Sequence, residues 1–61
     1  MKELDVVTLA RGVGGWPPGT VGTIVESHHS AALVEISDEH GRTLDFVTVP
    51  RELLRSAPAA G

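Results

Sequence analysis

The residue types best suited to chemistry in this chain are three histidines and the acids near them. His28 and His29 are adjacent, whereas His40 follows Asp38 and Glu39 in a separate polar stretch. Imidazole and carboxylate groups are zinc ligands, but adjacent residues of an extended strand point to opposite faces, so His28 and His29 cannot easily share one ion. We therefore expect solvated turn histidines, with no metal site and no cofactor. A metal or small-ligand binder is kept as the second alternative.

The carboxylates that could serve in acid–base catalysis are scattered along the chain. They are Asp5, Glu26, Glu35, Asp38, Glu39 and Asp45. No Ser/His/Asp arrangement can be read from the residue order, and G-V-G-G is not followed by the Lys-Ser/Thr pair of a phosphate-binding loop. A domain this small is also expected to lack a ligand cavity of the usual ~300 Å³ or more. The sequence predicts no catalytic residue and no enzyme.

The glycine-rich stretch before Gly19 holds the only tryptophan, Trp16, directly before Pro17 and Pro18. Large aromatic side chains are mostly buried, so we favour an indole that caps the core over one that forms the wall of a peptide groove. Polyproline grooves use several aromatic residues, and this chain has no tyrosine and one phenylalanine. The candidate protein-interaction residues are Val13, Trp16, Pro17, Pro18 and Leu33.

Charge and length limit the classes of partner. The chain has 61 residues, a formal charge of −3 and five basic residues, Lys2, Arg11, Arg42, Arg51 and Arg55, which are spread out. Nucleic-acid affinity depends largely on cations that neutralise phosphates, so nucleic acid is an unlikely partner. No apolar run approaches the ~18 residues of a membrane helix, and we expect a cytoplasmic protein without membrane contact.

Four short strands are predicted in order, separated by polar or glycine-rich segments. The first runs from Leu4 to Leu9, and a loop from Gly12 to Gly19 leads to the second, from about Thr20 to Glu26 or His28, with a bulge or bend at Gly22. After a polar turn, Ala31 to Ser37 alternates, with Ala32, Val34 and Ile36 on one face and Leu33, Glu35 and Ser37 on the other. Asp38 to Gly41 is a hairpin turn in which Gly41 takes a positive φ.

The fourth strand, Arg42 to Val49, returns antiparallel, but its alternation breaks near Phe46 and does not assign the following valines to a face. Pro50 then begins a single helical turn, and a last strand is predicted at Arg55 to Ala57. The fold class is all-β: a small SH3-like barrel of five short strands, with one helical turn before the last strand. The barrel covers residues 1–56, and residues 57–61 form a disordered C-terminal tail.

Four segments, K-E-L-D-V-V-T-L, G-T-V-G-T-I-V, V-E-I and G-R-T-L-D-F-V-T-V-P, together resemble a family of short bacterial proteins of unknown function. The resemblance spans about positions 2 to 55, implies a free-standing SH3-like barrel and carries over no site residue. Relatives encoded beside toxin-like or uncharacterised proteins imply a protein partner. This chain departs from the family pattern at Trp16 and Thr20 in the first loop, and at Ala32 and Leu33.

The function expected from the sequence is a noncatalytic protein-interaction module. It would form a homo-oligomer or bind a partner protein encoded nearby. In the second case, the two proteins could form a toxin–antitoxin-like pair. The passage V-G-T-I-V is also similar to the glycine-containing strand of KOW barrels. The first alternative is therefore a KOW-like nucleic-acid or ribosome-associated module, which would rely on Arg42, Arg51 and Arg55.

Overall fold

The computed structural model describes residues 2–57, and they form five antiparallel strands and one 3-10 turn. The strands are β1 (Val6–Leu9), β2 (Val21–Ser27), β3 (Ala31–Ser37), β4 (Thr43–Pro50) and β5 (Leu54–Ser56), and the 3-10 turn is Arg51–Leu53. Pro50 directly precedes the turn with a φ of −56°, a value that the proline ring imposes and that suits the entry to a helical turn. The predicted all-β fold, with its single helical turn before the last strand, is confirmed.

The five strands form one sheet in the order β4-β3-β2-β1-β5. Strands β1 to β4 follow one another as a meander, and β5 then crosses back to pair with β1, so that Leu9 lies opposite Leu54. The last strand starts one residue earlier than Arg55, because Leu54 already belongs to this ladder. Strands β4 and β5 are consequently the two ends of the sheet.

The inner face of the sheet carries one aliphatic core. In β3 the alternation predicted from sequence is observed, with Ala32, Val34 and Ile36 buried. The core cluster of buried residues consists of Val7, Leu9, Ile24, Ala32, Val34, Ile36, Val47, Val49 and Leu54. Side chains from all five strands meet in this single cluster, so the sheet must curve strongly around its own inner face.

The pairing of β4 with β3 assigns the residues from Asp45 onward to a face, whereas the ladder shifts register between Thr43 and Asp45, so that Leu44 has no partner in β3. Asp45 lies opposite the buried Ile36, and Val47 lies opposite the buried Val34. Because paired residues share a face, Asp45, Val47 and Val49 form the inward row. Phe46 therefore points outward, and Leu44, the extra residue at the register shift, is also exposed.

Gly22 is required for close packing and not for a bulge. The irregularity in the β2–β3 ladder falls between Ile24 and Glu26, so the bulge predicted at Gly22 is wrong. A Cβ atom at Gly22 would lie 2.4 Å from Cγ1 of Val34 and 3.1 Å from Cδ1 of Ile36. A glycine there lets β2 approach the inner side chains of β3 more closely than any other residue would.

The predicted tail lies outside the described residues except for Ala57. The amide of Ala57 donates a 3.1 Å hydrogen bond to the carbonyl of Val6, which extends the β1–β5 pairing by one step. Within residues 2–57, no helix is long and apolar enough to cross a membrane.

Candidate interaction surface

The loop between β1 and β2 contains a small hairpin of its own. The amide of Val13 donates to the carbonyl of Trp16 at 3.0 Å, and the amide of Trp16 donates back to Val13 at 2.9 Å. Between them, Gly14 and Gly15 have φ values of 59° and 88°, as a type I′ turn requires at both central positions. The stretch predicted as an irregular loop is therefore a defined turn with Trp16 at its base.

Trp16 connects this loop to β4, an end strand of the sheet. Its side chain is half-buried and packs against the core, and its Nε1 donates a 2.9 Å hydrogen bond to Oδ2 of Asp45. A Cβ atom at Gly14 would lie 3.2 Å from Cγ1 of Val47, so the loop also lies directly against β4. This is the placement expected of a core cap, and it leaves only part of the indole for a partner.

The five candidate interaction residues do not lie together. Val13 packs on the core beside Trp16, whereas Leu33 is half-buried and lies in β3 opposite Thr48, on the outer face of the sheet. Pro17 and Pro18 are exposed at the loop. Two of the five thus have a structural role, and a contact between any of them and a partner stays a prediction.

Among the described residues, the large apolar side chains that the fold leaves most exposed are not those predicted from the sequence to bind a partner. The exposed side chains are Leu4, Val6, Val21, Leu44 and Phe46. Leu44 and Phe46 lie on either side of Asp45 in β4, with 54% and 55% of their surface exposed. The sequence signal was the run L-D-F-V, in which the aspartate takes the inward position and leaves the two large residues exposed.

Strand β4 combines these side chains with an edge position. It is the longest strand, with eight residues, and it ends the strand order. Edge strands are usually protected by charged side chains, prolines or bulges. Here Pro50 lies at one end, the β3–β4 ladder shifts register at Leu44 near the other end, and the only charged residue, Asp45, points inward to Trp16. The exposed side chains in the middle of β4 are Leu44, Phe46 and Thr48, and none of them carries a charge.

The histidines lie at two separate turns. Nε2 of His28 is 3.1 Å from Oε1 of Glu26, and Nε2 of His40 is 3.7 Å from Oε1 of Glu39. The two turns flank the seven residues of β3, which span roughly 20 Å. Across residues 2–57, no group of three or more potential metal ligands is found.

Asp38 organises the turn between β3 and β4. Its Oδ1 accepts hydrogen bonds from the amides of His40 at 2.8 Å and Arg42 at 2.9 Å, and its Oδ2 lies 3.2 Å from Nε of Arg42. The hydrogen bond from the Arg42 backbone is the main cause that lowers the pKa of Asp38 below its ordinary value of 3.8. This carboxylate therefore stabilises the turn.

The arginines named for nucleic-acid binding do not form one patch. Arg42 pairs with Asp38 at one end of β3. Arg51 lies at the other end, where its Nε donates a 2.7 Å hydrogen bond to the carbonyl of His28 and its guanidinium also contacts Oγ of Ser27. Both side chains hold turns of the protein itself.

An open groove lies on the surface beside β5. It has a volume of about 490 Å³ and is lined by Ala10, Arg11, Glu52, Leu53 and Arg55. The groove is open to solvent, so the expected lack of a ligand cavity within the barrel stays a prediction. The size of the core does not limit this groove, because it forms outside the core, where β1 ends and the 3-10 turn enters β5.

Comparison with known proteins gives one match. The family model described as "Domain of unknown function (DUF4926)" matches residues 3–56. No curated protein and no solved structure matches the chain.

Proposed function

Since the chain belongs to the DUF4926 family, a domain of unknown function, we propose from the geometry of its sheet that it is a noncatalytic protein-interaction module that self-associates along β4. The observation that carries this proposal is the exposure of Leu44 and Phe46 on an edge strand. An extended segment can add to such an edge through main-chain hydrogen bonds, while alternate side chains make the apolar contacts.

A second copy of the chain suits this edge because β4 can pair with itself. In a two-fold symmetric contact the same surface serves both partners, and the two β4 strands would run antiparallel. The exposed side chains Leu44, Phe46 and Thr48 bear no charge, so no like charges would meet at the centre of the contact. Self-association would also bury apolar surface that the small aliphatic core leaves exposed.

We also propose a barrel type, a source and a cellular location for this domain. We place the domain among SH3-like barrels of bacterial, cytoplasmic proteins. The strand order, the 3-10 turn before β5 and the single inner face support the SH3-like barrel, as does the hydrogen bond from Trp16 to Asp45, which joins the first loop to β4. A barrel of this kind covers its core by curvature and leaves its outer face for partners.

Sedimentation velocity over a micromolar concentration series tests self-association. We expect the native chain to form a dimer with rising concentration and Phe46→Lys to remain monomeric, because the lysines would approach each other across the two-fold axis. Val21→Lys is the matched control, since Val21 is equally exposed but lies in β2, between β1 and β3. Leu33→Glu should weaken the dimer less than Phe46→Lys, because Leu33 is one strand further from the edge.

A strictly monomeric native chain would contradict self-association. Equal loss of dimer in Phe46→Lys and Val21→Lys would also contradict it, because the contact would then not follow β4. If a different protein captured the native chain, and Phe46→Lys but not Val21→Lys abolished capture, the edge would serve a heterologous partner instead of a second copy.

A further inference from the structure

A backbone hydrogen bond holds together the base of the groove beside β5. The amide of Ala10 donates a 2.7 Å hydrogen bond to the carbonyl of Leu53, which continues the β1–β5 pairing beyond Leu9 and Leu54. The chain then diverges, with Arg11 leaving β1 on one side and Glu52 preceding β5 on the other. The volume of about 490 Å³ is within the range of small-ligand sites.

The groove is lined by basic side chains that do not stabilise a turn elsewhere in the fold. Of the five basic residues, Arg42 is paired with Asp38 and Arg51 is bonded to the turn after β2. Two of the remaining three, Arg11 and Arg55, line this one groove. In a chain with a net charge of −3, two guanidinium groups at one concave surface form a local positive site.

Arg55 is held in place by the backbone around it. Its Nη1 donates hydrogen bonds of 2.9 Å to the carbonyls of Glu52 and Leu54, so its remaining N–H groups are available to a ligand. In the described part of the chain, Arg11 makes no hydrogen bond or ion pair. One guanidinium is therefore preorganised, and the other is free to close over a bound group.

We propose that this groove binds a carboxylate of a ligand between Arg11 and Arg55. The planar guanidinium fork matches a carboxylate in a bidentate arrangement. Glu52 lines the same groove, so one negative side chain lies there beside the two positive ones. The small net positive charge that results suits a singly charged ligand group better than a polyanion. The source of the carboxylate is either a small organic acid or an acidic side chain of a peptide, and the site is independent of self-association through β4.

Titration of the ¹⁵N-labelled native chain at low ionic strength, followed by NMR, tests this site. The probes are glutarate, a blocked peptide with two glutamates, the same peptide with glutamines, and inorganic phosphate. We expect the amide signals of residues 10–11 and 52–55 to shift with a carboxylate probe and not with the glutamine peptide. Whether glutarate or the glutamate peptide binds more tightly identifies the source.

Charge-matched variants separate the groove from general electrostatics. Arg11→Gln with Arg55→Gln should weaken binding at least about tenfold, whereas Lys2→Gln with Arg42→Gln removes the same total charge and should leave it nearly unchanged. Glu52→Gln should tighten binding about two- to fivefold, because it removes a repelling charge. This gain keeps the proposal testable even if loss of Arg55 disturbs folding.

Four results would overturn the proposal: no shift with either carboxylate probe, tighter binding of phosphate than of carboxylate, equal losses in the two double variants, or weaker binding by Glu52→Gln. Each can occur whether or not the chain forms a dimer. Failure of this site therefore leaves the proposal for β4 standing, and the reverse also holds.

Discussion

The indole Nε1 of Trp16 donates a hydrogen bond to Oδ2 of Asp45, 29 residues further along the chain, at a distance of 2.9 Å. This contact joins the loop between β1 and β2 to β4, the end strand of the sheet. It also explains why an aspartate occupies an inward position, because its carboxylate has a partner there. The first loop and the edge strand are thus parts of one structural unit.

Trp16→Phe should lower the free energy of unfolding by about 1 kcal/mol, because it removes the N–H donor while keeping most of the apolar contact. Trp16→Ala should cost about 3 kcal/mol, because the core loses its cap as well. Urea unfolding followed by circular dichroism measures both, since the variants lack the only tryptophan that fluorescence could report.

A double-mutant cycle isolates the hydrogen bond itself. Trp16→Phe combined with Asp45→Ala should show a coupling energy of about 0.5–2 kcal/mol. Asp5→Ala serves as the control, because Asp5 is also half-buried but accepts its hydrogen bond from Lys2. Additive effects of the Trp16 and Asp45 changes would show that the contact does not stabilise the fold.

Gly22→Ala should destabilise the protein by about 2 kcal/mol or more, since its Cβ would lie 2.4 Å from Val34 Cγ1 and 3.0 Å from the Glu35 carbonyl oxygen. Gly41→Ala is the comparison, because Gly41 has a φ of 80° but open space around it, so that only backbone strain of about 1 kcal/mol applies. The double variant Gly22→Ala, Val34→Ala should lose less than the sum of its parts. A milder effect at Gly22 than at Gly41 would refute the steric explanation.

The stability of the β3–β4 turn should depend on the charge of Asp38. The pKa of Asp38 is lowered in the folded state, mainly by the hydrogen bond from the Arg42 backbone. The contribution of Asp38 to stability is therefore complete above the ordinary pKa of 3.8 and is lost as the pH falls through the lower folded pKa. Asp38→Asn, which keeps an oxygen acceptor, should remove this part of the acid sensitivity.

Urea unfolding at about pH 7 and at about pH 3 measures this effect. Glu39→Gln is the control on the same turn, because the carboxylate of Glu39 is almost fully exposed and should contribute little. An NMR titration of the Asp38 carboxyl group with a midpoint at or above 3.8 would contradict the expected direction.

The sequence predicted best those elements whose conformation depends on the residues themselves and on their neighbours in the chain. The alternation of Ala32, Val34 and Ile36 defines the inner face of β3, because successive side chains of a strand point to opposite sides. Gly41 at the end of its turn and Pro50 before the 3-10 turn were also recognised, since each has a conformational preference of its own.

The faces of β4 could not be predicted, because they depend on a distant partner. Asp45 lies inward only because Trp16 supplies a donor, and Phe46 then lies outward against the usual preference for burying aromatic residues. The surface proposed on β4 could not be selected from the sequence for the same reason. An apolar strand residue is by default assigned to the core, so Leu44 and Phe46 were missed as surface groups.

The measurement that tests the central claim most directly is amide hydrogen exchange in β4 as a function of protein concentration. If β4 pairs with a second copy, the β4 amides that do not bond to β3 should become protected as concentration rises. This protection should disappear in Phe46→Lys, while amides of β2 stay unchanged. Exchange rates in β4 that are the same at every concentration would contradict self-association along this strand.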